Sequence, residues 1–136
     1  MNTKINRINP EKLHQTPGYH HITVVDSGPV AHLSGQCPLA PSGDLVGDGD
    51  LDAQIDQVVA NTLAALAELD AQPEDVVRSV IYVVGTESET LAGAWHRLNA
   101  SAIGGAFSTA STLLGVTVLG YSGQLIEVDL TVALPG

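Results

Sequence analysis

The residues of this chain that could do chemistry collect around Ser34-Gly35-Gln36-Cys37-Pro38, a run continuing through Leu39-Ala40-Pro41-Ser42-Gly43. An apolar stretch before it, Val30 to Leu33, reads as a strand, and two prolines plus two glycines turn the chain straight after. A serine hydroxyl and a glycine backbone are thereby set at a strand end, which suits a plain turn or the wall of a small-molecule pocket. Nucleophilic chemistry is not indicated. Cys37 has no basic neighbour to lower its pKa and reads as a small buried filler, and Ser34 has no evident partner base. His20 and His21 are adjacent, so on a strand they point to opposite faces and cannot easily share an ion; His32 and His96 add no ligand spacing. The acidic series Asp44, Asp48, Asp50, Asp52 has calcium-loop spacing but lacks the Glu at the twelfth position, and reads instead as a solvated loop and helix cap. No metal site is expected.

These residues need elements to position them. Residues 1–18 are polar, carry Pro10 and Pro17, and read as a lead-in arm. Two short strands, 20–25 and 30–35, are expected to pair as a hairpin around Asp26-Ser27-Gly28-Pro29. A loop over 41–49 allows a short strand at Leu45-Val46. Leu51, Ile55, Val58, Val59, Leu63 and Leu66 recur at helical spacing, which predicts a helix from about Asp50 to Leu69 capped by its aspartates. Val76 to Val84 is largely apolar on both alternating sets, Val77, Ile81 and Val83 on one side and Val80, Tyr82 and Val84 on the other, and reads as a strand covered on both faces. Thr86 and Glu89 have capping-box spacing, which predicts a second helix with Leu91, Trp95, Leu98 and Ala102 along one side, ended by Gly104-Gly105. Strands over 112–119 and 125–134 close the chain, the last alternating Ile126, Val128, Leu130, Val132, Leu134 against Glu127, Asp129, Thr131.

The order predicts an α+β domain spanning 1–136, with a mixed six-stranded sheet and two helices on one face. Two helices cannot cover both faces. The other face is therefore expected to meet further copies of the chain in a closed symmetric assembly, with pockets where subunits meet.

Composition narrows the partners. Formal net charge is −10, and Lys4, Arg7, Lys12, Arg78 and Arg97 are the only permanent cations. Such a chain repels phosphate backbones, so nucleic acid is not an expected partner. One cysteine permits no intramolecular disulfide, and no stretch approaches the length of a membrane span. A cytoplasmic protein without a membrane partner is expected.

Several features together resemble the Rid (YjgF) family of small α+β proteins over nearly the whole length. They are Gly18-Tyr19-His20-His21, Ser34-Gly35-Gln36 with Pro38, Pro41 and Gly43, and Gln54, Gln57 and Asn61 on the first helix. Asp75-Val76-Val77 leading to Tyr82-Val83, then Val116, Leu119 and Glu127-Val128-Asp129, complete the set. The resemblance implies a chorismate-mutase-like fold, a homotrimer with three interface pockets, and cofactor-free hydrolysis of reactive enamines and imines such as 2-aminoacrylate. It implies site roles for Tyr19, Ser34, Gly35 and Ser111 in holding a small-molecule metabolite, and for Glu127 in positioning water.

One element of that pattern is missing. The run Ala110-Ser111-Thr112-Leu113-Leu114-Gly115-Val116 places Ser111 where the family's deaminases carry a carboxylate-binding Arg, and no cation follows Arg97. A charge-assisted bond contributes about 1.5–3 kcal/mol, so its loss weakens carboxylate binding roughly 10- to 100-fold. Two classes stay open: a Rid-type hydrolase acting on something other than simple 2-imino acids, and a non-catalytic trimer binding a metabolite in the same pocket.

Overall fold

Strict alternation in the last strand places the centre of the molecule. The computed structural model describes residues 2–135. Strand β6, Ile126–Ala133, buries Ile126, Val128, Leu130 and Val132 almost completely while Glu127, Asp129 and Thr131 stay half-buried on the other side. Strand β4, Val76–Val84, runs antiparallel to it with Ile81 opposite Val128 and Val83 opposite Ile126, so the two strands turn the same apolar face inward. Strand β5, Ala110–Val116, lies parallel to β4, and β3, Val30–His32, is antiparallel to β6. The order is β3-β6-β4-β5. Each large aliphatic side chain withdrawn from water at this centre contributes about 1.5–3 kcal/mol.

Helices α1, Leu51–Glu68, and α2, Ser88–Ala100, cover that inward face. Asp50 caps α1, its side chain accepting from Ala53 N at 3.1 Å. The apolar stripe Ile55, Val58, Val59, Leu66 packs down on the sheet, and Leu69 ends the helix before Asp70 enters the left-handed region at φ 51°. From α2, Ala94, Trp95 and Leu98 join the same core, together with Phe107.

Five expectations from the sequence are corrected. The arm over 1–18 contains strand β1, Ile5–Ile8, which pairs with β2, Ile22–Val25. The hairpin between 20–25 and 30–35 does not form. Gly28 at φ 150° carries the chain away, β3 takes the edge of β6, and β2 takes β1 instead, with Asp26 N donating to Lys4 O at 2.9 Å. The sixth strand is thus β1 rather than Leu45-Val46, which makes only a single bridge from Leu39 to Leu45. The six strands also divide into a four-stranded and a two-stranded sheet, joined through a bridge from His20 to Ala110. Finally, the Thr86–Glu89 capping box is not made: α2 begins after Glu87, which makes no side-chain cap bond.

Candidate functional site

Glu127 stands on the face of the sheet that neither helix covers, opposite Tyr82 on β4. Its Oε1 accepts from Gln124 Nε2 at 3.1 Å and from Cys37 Sγ at 3.3 Å. Among the described residues, Oε2 receives no hydrogen bond. The carboxylate lies directly over Gly35, where a Cβ would come within 2.3 Å of Oε2, so only glycine leaves it this position.

The chain reaches this arrangement through amides on α1. Asn61 Nδ2 donates to Cys37 O and Leu39 O, both at 2.9 Å, and Gln57 Nε2 orients Asn61 through its Oδ1 at 2.9 Å. Gln54 is fully buried and donates to Gly47 O and Gly123 O at 3.0 Å while accepting from Leu125 N at 2.7 Å, which fixes the entry to β6. A buried amide left without such partners would cost about 1–3 kcal/mol. Three side chains of one helix therefore hold both the glycine turn and the carboxylate.

Cys37 is protonated at neutral pH. Loss of solvent pushes its thiol up to about 11, and the hydrogen bond to Glu127 and that carboxylate's charge push the same way. It acts as a donor to Glu127 and not as a nucleophile.

A second feature lies on the helix-covered side. A cleft of about 500 Å³ is walled by Tyr19, Leu91, Trp95, Ser111 and Leu113, with exposed Ser88 and His96 also lining it. Trp95 Nε1 donates to Pro17 O at 3.0 Å, and His20 N donates to Thr109 O at 3.1 Å, so the segment carrying Tyr19 is tied to α2 and to the start of β5. Tyr19 OH meets His14 Nε2 at 3.1 Å. Ser111 Oγ has Phe107 O at 3.1 Å and Thr109 O at 3.2 Å as acceptors and is in a close hydrogen bond with Ser79 Oγ.

The five residues singled out from the sequence thus fall into two groups. Tyr19 and Ser111 share the cleft, Gly35 and Glu127 touch each other, and Ser34 is exposed beside Gly35 with its carbonyl accepting from Gln36 Nε2 at 3.0 Å. Register puts the groups on opposite faces of the sheet. Ser111 lies beside Ser79, in the set that faces the helices, whereas Glu127 lies opposite Tyr82 in the other set.

Neither body arginine lines the cleft. Arg97 Nε and Nη2 grip Asp56 at 3.0 and 2.8 Å on the helix surface, holding the Asp56 carboxyl below its usual range. Arg78 Nη2 donates to Thr112 Oγ1 at 2.6 Å on the uncovered face. Arg78 lies four residue steps along β4 from Tyr82, the partner of Glu127, which is about 13 Å. His20 and His21 also diverge, His20 Nδ1 meeting Ser108 O and His21 Nε2 meeting His14 O at 2.9 Å.

Sequence reasoning missed Gln124, Trp95, Leu91 and Leu113 as parts of these features. A lone tryptophan on the inner stripe of a helix was the one available signal.

A protein-family model described as Endoribonuclease L-PSP matches residues 11–134. Among solved structures the chain is similar to YyfB from Yersinia pestis, described as a protein of unknown function of the conserved Rid protein family. Identity is 35%, the match covers 97% of this chain and 100% of that one, and the TM-score is 0.88. It is similar in fold to YyfA from the same organism, at 22% identity, 95% and 98% coverage and a TM-score of 0.66. A further likeness of fold is to Rv2704 from Mycobacterium tuberculosis, a member of the YjgF/YER057c/UK114 family, at 20% identity, 95% and 98% coverage and a TM-score of 0.61. Among curated proteins, none matches.

Proposed function

Because the chain belongs to the Rid family, which the Endoribonuclease L-PSP model describes, we propose that it is a cofactor-independent hydrolase of carbon–nitrogen double bonds, working as a homotrimer on an imine or enamine other than the simple 2-imino acids. The observation that carries this reading is the Glu127 carboxylate, held through Oε1 by Cys37 and Gln124 and seated over Gly35 with Oε2 unspent. Such a group can take a proton from water as the water oxygen bonds to the imine carbon and the π pair moves to nitrogen. Glu127 then returns that proton to nitrogen, giving a carbinolamine. A second transfer from the new hydroxyl to nitrogen lets the C–N bond break, so one imine and one water become one carbonyl compound and ammonia.

Substrate choice follows from charge. A 2-imino acid brings a carboxylate, and an anion taken from water without a counter-charge is costly. Arg97 is committed to Asp56, and Arg78, on the same face as Glu127, is bonded to Thr112 and lies about 13 Å along β4 from Tyr82, the partner of Glu127. The cleft and Glu127 are on opposite faces within one chain, so a shared site requires one copy's uncovered face to meet the neighbour's cleft. Homotrimer formation supplies that meeting in this reading.

Hydrolysis of RNA is disfavoured despite the family's description. A net charge of −10 opposes approach of a polyanion, and no lysine or arginine lies against Glu127 among the described residues.

Ammonia release from a panel of enzymatically generated imines tests the proposal. Glu127→Ala is expected to lower the turnover of any accepted imine by at least about 100-fold; undiminished turnover in that variant sinks the hydrolase reading. The separation of the cleft from Glu127 favours one second reading, a trimer that binds a metabolite without converting it. Saturable binding with no turnover would support that alternative.

A further inference from the structure

The hydrogen-bonding side chains on the inner walls of the Tyr19–Ser111 cleft already have partners within the chain. The Trp95 indole N–H goes to Pro17 O at 3.0 Å. Ser111 has one proton, and two backbone carbonyls at 3.1 and 3.2 Å compete for it while Ser79 fills another of its positions. Tyr19 OH is engaged with His14 at 3.1 Å. Leu91 and Leu113 offer only carbon, and no lysine or arginine is among the lining residues. Ser88 and His96 are the lining side chains without a hydrogen bond among the described residues, and both are exposed.

A site built to hold an anion does the reverse, aiming charged or unspent N–H and O–H groups inward. Here the inward surface is aromatic and aliphatic, and its polar atoms face backbone. A carboxylate passing inside Ser88 and His96 would lose water and meet no unspent N–H among the inner side chains. An aromatic or branched body loses little and fits: about 500 Å³ is within the range of small-molecule pockets, and Trp95 and Tyr19, already edge-to-face at 6.2 Å, present ring surface to it.

We infer that this cleft selects an uncharged molecule with an aromatic or branched aliphatic body, its polar group left at the mouth beside Ser88 and His96. As a substrate, that is the imine of an aldehyde lacking any carboxylate, the type formed when a primary amine is oxidised at its carbon–nitrogen bond. The class of reaction that would supply it is therefore amine oxidation and not amino-acid dehydration. The chemical half of this inference rests on the hydrolase reading above; the binding half does not.

Trp95 is the chain's single tryptophan and stands in the cleft wall, so intrinsic fluorescence reports occupancy directly. Titrating the intact protein with benzaldehyde and with 4-formylbenzoate, which differ by one carboxylate, should give saturable quenching by the neutral probe at a concentration at least tenfold lower. Equal or reversed order, or quenching that rises linearly without saturation, overturns the assignment. In parallel, ammonia release is followed from the imine made by oxidising phenethylamine and from the 2-imino acid made by oxidising phenylalanine. Faster release from the first alone supports the full inference, and faster release from the second overturns the ligand class while leaving the hydrolase reading intact. Saturable preference for benzaldehyde with no turnover of either imine upholds the ligand class and removes the hydrolase.

Discussion

The two faces of the four-stranded sheet are built on opposite terms. On the covered face, the Tyr19–Ser111 cleft is apolar and its polar groups are turned back to the chain's own carbonyls. On the uncovered face, Glu127 keeps one oxygen unengaged over a glycine, at a place that solvent or another molecule can reach. One face offers shape without charge and the other offers charge without shape. The difference teaches that binding and proton transfer are separable in a single copy of this chain, and that each can be broken without touching the other.

The largest separation is expected at Gly35. A methyl group there would meet the far end of the Glu127 side chain at 2.3 Å, and it is that flexible end rather than the backbone that must move. Gly35→Ala should therefore cost stability no more than about 1–3 kcal/mol. It should reduce turnover of any accepted imine by about 100-fold, the scale of a lost general base. The saturable response of Trp95 to benzaldehyde should persist. Loss of both signals in a protein that still melts cooperatively would show that the two faces are not independent.

Ser111→Arg probes the cleft alone and should change its preference. A guanidinium at this position adds a charge-assisted partner, which corresponds to roughly a 10- to 100-fold gain for 4-formylbenzoate over benzaldehyde. Because Ser111 also bonds to Ser79 and to two carbonyls, thermal melting must accompany the titration. A well-folded variant whose preference stays neutral would break the account of why acidic metabolites are rejected.

The smallest effect, confined to the uncovered face, is read in Cys37. Its thiol is pushed up to about 11 by loss of solvent first and then by the Glu127 hydrogen bond and charge. Glu127→Gln removes the charge, so alkylation by iodoacetamide near pH 9 should be several-fold faster in the variant than in the parent. The sign for stability follows from linkage: a folded-state pKa raised above 9.0 contributes stability below that pH and loses it as pH rises toward about 11. Melting curves of the parent should fall across that interval and those of Cys37→Ser should be flatter. Identical alkylation rates would show that Glu127 does not govern the thiol.

Much of this architecture was legible in the residues because one physical rule governed each part. Alternation in 126–133 announced both the buried set and the outward Glu127, and β4 was readable in full because a nine-residue run with seven apolar residues between Pro73 and Gly85 admits few alternatives. The helix at 51–68 declared itself through its apolar period and its aspartate cap. Family membership was readable from the spacing of small motifs, among them Gln54, Gln57 and Asn61, whose common task of holding the loop at 37–39 and the entry to β6 appears only in three dimensions.

What the residues left undecided was pairing and side. Short strands such as 22–25 and 30–32 carry too little pattern to choose a neighbour, so the long edge of β6 and the arm at 5–8 chose for them. The same limit hid the division of the candidate residues. Tyr19, Ser34, Gly35, Ser111 and Glu127 look like one constellation along the chain, yet hydrogen-bond register sends Ser111 to the helices and Glu127 to the open face. Local sequence determines which residues are apolar, capped or flexible, because those are properties of single positions and near neighbours. Which face a residue occupies, and whether its hydroxyl or indole proton is still available to a ligand, depends on partners dozens of residues away and is decided only when the sheet closes.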